Sequence, residues 1–184
     1  MNSRKLGDYY PLLLELMLLF LIFYSFYYAI KFYPQLPDKI PAHFGIDGKP
    51  DGWVAKSWLT ALGLSYFELA LYLLMTIGTL VIIKSSNPLR FINLPIPYSR
   101  IEKLGEQQLE EIRKIVIQLM LVVKVVIVSM FAWLSCRSIQ VAIGIREGLG
   151  YSMWVFIIIL LSLIIWLTFR VYRVINKPDN RMIY

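Results

Sequence analysis

Residues 58–83 read WLTALGLSYFELALYLLMTIGTLVII, twenty-six positions with a single charge, Glu68. A helix needs about 20 mostly apolar residues to cross the hydrocarbon core of a bilayer. At 1.5 Å per residue this run makes a rod of about 39 Å. In hydrocarbon every backbone amide must bond within its own segment, so such a run is helical. The period-two alternation of a membrane barrel is absent from it.

Three more stretches meet the same test: residues 11–32, a run within 115–143, and residues 151–172. The chain of 184 residues is 58% hydrophobic, with a mean hydropathy of +0.62. A soluble domain has about 45–50% apolar residues, so the excess belongs in lipid. The expected fold is an all-α integral membrane protein, a single polytopic domain over residues 1–184. It has four transmembrane helices, a structured outer loop at 33–57 and an inner loop at 84–114 carrying an amphipathic helix. Arg4 and Lys5 resemble the basic region of a signal peptide. The apolar run after them is longer than a signal core, however, and bulky Tyr24, Phe26, Tyr27 and Tyr28 stand where a cleavage site needs small residues. An uncleaved first span is expected.

Basic residues set the expected orientation. With the N-terminus inside, twelve Lys and Arg fall on the inner side, six on the outer side, and Lys124 lies within the third span. That bias puts both termini in the cytoplasm and the 33–57 loop outside. Basic flanks of this kind, next to anionic headgroups, account for the net charge of +7, and no nucleic-acid partner is expected. Cys136 is the only cysteine, so no internal disulfide can form.

The inner loop opens with Pro88, Pro95 and Pro97, which favour an extended course. Ser99 and Glu102 then read as a capping box. Ile101, Leu104, Leu109, Ile112, Ile115, Val116 and Leu119 follow at helical spacing. Glu110 and Lys114 are ordered for an i,i+4 pair. An amphipathic helix on the inner membrane surface, running into the third span, is expected.

The outer loop contains PDKIPAHFGIDGKPDGW, Pro37–Trp53, with the only histidine of the chain. Pro34, Pro37 and Pro41 stiffen it, and the Asp47-Gly48 and Asp51-Gly52 pairs are turn signals. Tyr33, Phe44, Trp53 and Trp58 suit the headgroup level. His43, Asp47 and Asp51 recur every fourth residue, an imidazole-carboxylate set that a metal would accept. The same residues serve equally as hydrogen-bonded turn structure, and no metal or other cofactor is expected. The recognition set is Pro37, Pro41, His43, Phe44, Asp47, Asp51, Trp53 and Lys56.

Leu36, Pro37, Ile40, Pro41, His43, Phe44, Gly48, Asp51, Gly52 and Lys56 together resemble the signature of a membrane domain, domain of unknown function 1648. That domain also forms the N-terminal part of SdpI-type immunity proteins. The resemblance implies a multi-span protein that protects a toxin producer and sequesters a repressor at the membrane.

Charges at bilayer depth are costly unless paired or hydrated. Glu68 and Lys124 sit near the middle of consecutive spans and are expected to pair. Glu15, one turn into the first span, is expected to reach the inner headgroups. No nucleophile–base pair, nucleotide loop or catalytic motif stands out, so an enzyme is not expected. Two functions stay open. One is peptide-toxin immunity or signal reception through the outer loop, with a peptide or another membrane protein as partner. The other is a small transporter or accessory subunit of a membrane complex using Glu68 and Lys124.

Overall fold

The computed structural model describes residues 11–85 and 105–176. Four helices run up and down: α1 Leu12–Phe32, α2 Trp58–Lys84, α3 Glu106–Ala142 and α4 Ser152–Ile175. All four are long and apolar enough to cross a membrane, the architecture of a multi-pass membrane protein. The α1–α2 and α3–α4 connections lie at one end of the bundle, and Leu12, Lys84, Glu106 and Ile175 lie at the other.

The third helix runs, as expected, from the amphipathic segment into the third span. It begins nine residues before Ile115, and its 37 residues join the amphipathic segment to the span without a break. The expected capping box at Ser99 and Glu102 lies outside the described residues. Gly105 is extended (φ −73°, ψ 162°), so α3 starts after it, and Gln108 Oε1 accepts the Gly105 N–H at 3.2 Å. Glu110 accepts a bond from Arg113 Nε at 3.0 Å, an i,i+3 pair in place of the expected one with Lys114.

Helix α3 is the centre of the bundle and packs against α1, α2 and α4. Three apolar clusters follow its length. At the open end Ile82, Ile83, Ile112, Ile115, Val116, Ile117 and Leu121 meet Val171 and Val174 of α4. Mid-bundle, Leu18, Ile22, Tyr72 and Val128 pack together. At the connected end Ala29, Leu36, Ile40, Ala61, Leu62 and Ile139 close the core. Helix α4 is peripheral: Val171 and Val174 are its buried residues, and its apolar face is left to lipid.

The α1–α2 loop is more ordered than a set of turns. After a 3-10 turn at Tyr33–Gln35, Leu36 is extended (ψ 138°), as the ring of Pro37 requires. Strands β1, Lys39–Phe44, and β2, Pro50–Ala55, then pair antiparallel, with register shifts on both sides of His43. This hairpin is an addition to the expected all-helical plan. The sequence hides it because Pro41 and Pro50 are poor strand residues, tolerated here at an irregular two-stranded edge.

Candidate functional site

The hairpin is built from its tip. Gly48 takes φ +75°, the Gly45 N–H donates to the Lys49 carbonyl at 2.8 Å, and Asp47 Oδ1 accepts the Lys49 N–H at 3.1 Å. That is the aspartate turn expected of Asp47-Gly48. The base is held as firmly. Lys56 Nζ donates to the Leu36 carbonyl at 2.8 Å and lies 4.9 Å from the centre of the Tyr33 ring. Tyr33 stacks on Trp58, their centroids 3.6 Å apart. Ser57 and Thr60 exchange side chain-to-backbone bonds and cap α2.

The tip is docked on the α3–α4 connection. The Leu149 N–H donates to the Gly48 carbonyl at 2.7 Å. A β-carbon on Gly148 would stand 2.4 Å from that same oxygen, so only glycine permits the approach. The hairpin is therefore fixed at both ends.

Of the expected recognition residues, His43 and Asp51 come together across the strands, Nδ1 to Oδ1 at 2.5 Å. Their side chains are 73% and 54% exposed. Asp47 is occupied in the tip turn, and among the described residues no group of three His, Cys, Asp or Glu side chains is placed to hold a metal. Pro41 is buried, Phe44 half-buried and Pro37 exposed. Lys56 is a fastening of the loop base. Ile46 at 85% and Trp53 at 51% stand exposed on the same hairpin.

Beneath the hairpin lies a partly open cavity of about 340 Å³. Ile40, Pro41, Phe44 and Val54 form its hairpin side, and Ala61, Leu64, Ser135, Ser138 and Ile139 its helical side.

The intramembrane charges pair differently from the expectation. Lys124, fully buried, donates to Glu15 Oε1 at 2.5 Å and to Thr76 Oγ1 at 3.3 Å. Tyr72 donates to Glu15 Oε2 at 2.8 Å. Depth explains the correction. Counted from the connected end, Glu15 lies 17 residues down α1 and Lys124 18 residues down α3, about 26 and 27 Å at helical rise. Glu68 lies only 10 residues down α2, about 15 Å. Glu15, in the first turn of α1, is thus turned into the bundle and buried there.

Glu68 has its own partners. Its Oε2 accepts from Ser25 Oγ at 2.6 Å, Ser25 Oγ is 3.0 Å from Ser65 Oγ, and Ser65 Oγ is 3.2 Å from Ser135 Oγ. Glu68 Oε1 is buried and has no hydrogen-bond partner among the described residues. Each of the three serines lies seven residues from the connected end of its helix, a coincidence that the sequence contained and that reading the spans singly misses.

Arg113 was counted with the inner-loop charges, but it is buried. Its guanidinium donates to the carbonyls of Ile82 at 2.5 Å and Ser85 at 2.7 Å. It caps the end of α2, where carbonyls lack helical partners.

Comparison with known proteins gives a partial likeness. No solved structure matches the chain. An uncharacterized protein of Archaeoglobus fulgidus is 33% identical over 81 residues, which is 44% of this chain and 44% of that protein. The chain thus aligns with less than half of that relative's length. A family model described as a domain of unknown function (DUF1648) matches residues 20–66, from within α1 through the hairpin to the first turns of α2, and it is to that domain that this part of the chain is similar.

Proposed function

We propose that the protein is a non-enzymatic membrane receptor whose hairpin, on the outer face, recognises a hydrophobic peptide that reaches the membrane, as in SdpI-type immunity. The carrying observation is the exposed His43–Asp51 pair on a hairpin that is fixed at tip and base and also exposes Ile46 and Trp53. An exposed pair of this kind contributes about 1 kcal/mol or less to folding, so stability does not account for it. A hairpin that is already rigid loses little entropy on binding.

Strand β2 is mostly exposed, and among the described residues its pairing is with β1. An extended peptide adding along the far edge of β2 would gain main-chain bonds there and meet Trp53. The outward address rests on the basic-residue bias, and the likeness to the DUF1648 domain covers this same segment. Helix α3, in contact with the hairpin and with α1, α2 and α4, would carry the bound state to the cytoplasmic end.

The test is survival of a sensitive bacterium challenged with a panel of membrane-active hydrophobic peptide toxins, with and without the protein. Protection that His43→Ala, Asp51→Ala and Trp53→Ala remove at unchanged membrane abundance supports the reading. Protection that these variants leave intact, or none against any peptide, refutes it.

A further inference from the structure

Glu68 is fully buried inside the bundle with one carboxyl oxygen bonded to Ser25 and the other without a hydrogen-bond partner among the described residues. An ionised carboxylate in that setting costs several kcal/mol unless a cation or a full set of donors meets it. Among the described residues the cations of the bundle have other contacts. Arg137, two residues beyond Ser135, lies over the Trp133 ring and donates to Gln140. Lys124 is held by Glu15, and it lies 11 residues, about 16 Å, along α3 from Ser135. Arg113 is farther still, at the open end, on the carbonyls of α2.

Cys136 follows Ser135 on α3, and Tyr72 lies four residues on from Glu68 along α2. Tyr72 is engaged by Glu15. From α1 the polar group that faces Glu68 is Ser25, and α4 packs chiefly on α3.

The hydroxyl chain supplies what the charges do not. Each serine has one proton and can both donate and accept. Ser25 Oγ faces Glu68 Oε2, Ser65 Oγ and the Ile22 carbonyl as a donor. With Glu68 ionised its one proton goes to Oε2, and the Ser65 hydroxyl turns to donate to Ser25 as Ser135 donates to Ser65. With Glu68 protonated on Oε2, the acid donates to Ser25, Ser25 to Ser65, and Ser65 to Ser135. Reversal of the chain carries one proton between Ser135 and Glu68. Ser135 also lines the cavity beneath the hairpin, which is wide enough for water.

We propose that Glu68 is a proton-binding site, loaded from the cavity under the hairpin through Ser135, Ser65 and Ser25. A hydronium in the cavity gives its proton to Ser135 Oγ. Ser135 passes its own proton to Ser65, Ser65 to Ser25, and Ser25 to Glu68 Oε2. A water is left in the cavity, each serine keeps one proton, and the carboxylate becomes the neutral acid. The inference stands apart from peptide recognition, although anything that seats in the cavity would close the entry.

Infrared difference spectroscopy of the purified protein in lipid vesicles tests it. A carbonyl band of a protonated carboxylic acid should appear, vanish in Glu68→Gln and shift when H₂O is replaced by D₂O. Ser65→Ala and Ser135→Ala should slow that shift by about tenfold or more, a factor equivalent to about 1.4 kcal/mol of barrier. Ser135→Thr, which keeps the hydroxyl and has cavity space for its methyl, should exchange as the parent does, as should Ser162→Ala on lipid-facing α4. Each variant is read only if its helix content and monodispersity match the parent, and either serine variant suffices. The proposal is overturned by the absence of a Glu68-dependent acid band, by a carboxylate band that responds to Na⁺ instead, or by exchange indifferent to both serines.

Discussion

Removing the carboxylate of Glu15 should be among the most damaging single changes to this protein. Glu15→Ala leaves the Lys124 ammonium, which is fully buried, without the carboxylate that faces it. Breaking a buried pair from one side costs about 3–5 kcal/mol. Tyr72 also loses its bond to Oε2, about 0.5–1.5 kcal/mol more. Lys124→Met alone should cost a comparable amount, since it strands Glu15. The double variant Glu15→Leu, Lys124→Met should recover most of the loss, because a well-packed apolar pair of similar volume is often neutral in such a place. Equilibrium unfolding in mixed detergent, run as a double-mutant cycle, gives the coupling directly. About 2 kcal/mol or more is expected for Glu15 with Lys124. For Glu68 with Lys124, separated by about 12 Å of depth, the expected coupling is about 0.5 kcal/mol or less. Additive Glu15 and Lys124 variants, or a larger coupling between Lys124 and Glu68, would refute the depth argument.

Gly148→Ala should release the hairpin tip, because its new β-carbon meets the Gly48 carbonyl at 2.4 Å. A loss of about 1–3 kcal/mol should appear as faster amide exchange at Gly48–Gly52. Gly63→Ala, with nothing within 4 Å, should be neutral or better. Arg113→Met removes the donor to the Ile82 and Ser85 carbonyls and should cost about 1–3 kcal/mol, read as a lowered thermal midpoint. His43→Ala should change stability by no more than about 1 kcal/mol in the same melt. A larger loss would make the pair scaffold.

The four spans, the position of the hairpin loop and the buried status of Glu68 and Lys124 were legible because hydropathy over twenty residues is a collective signal. The Asp47-Gly48 turn was legible because two residues suffice to make it. Pairing between helices was not, since it depends on where each helix ends. The helix running from the amphipathic segment into the third span was legible from the spacing of Leu109 to Leu119, but the level of its residues against α1 and α2 was not. Adjacency in sequence made Glu68 seem the natural partner of Lys124, whereas counting from the connected end puts Glu15, Thr76 and Lys124 at one level and the three serines at another. The docking of Gly48 on Gly148 was invisible for a different reason. A glycine's role there is what a neighbour 100 residues away forbids, and no local pattern records that.

In the proposed reading the hairpin and the open end of the bundle face opposite sides of a membrane, the hairpin outward. In a Cys136→Ser background, single cysteines at Lys49 and Lys84, both exposed, report the two ends. An impermeant maleimide applied to intact cells should label Lys49→Cys and leave Lys84→Cys unlabelled until the membrane is opened. Labelling of Lys84→Cys in intact cells, alone or together with Lys49→Cys, would contradict it.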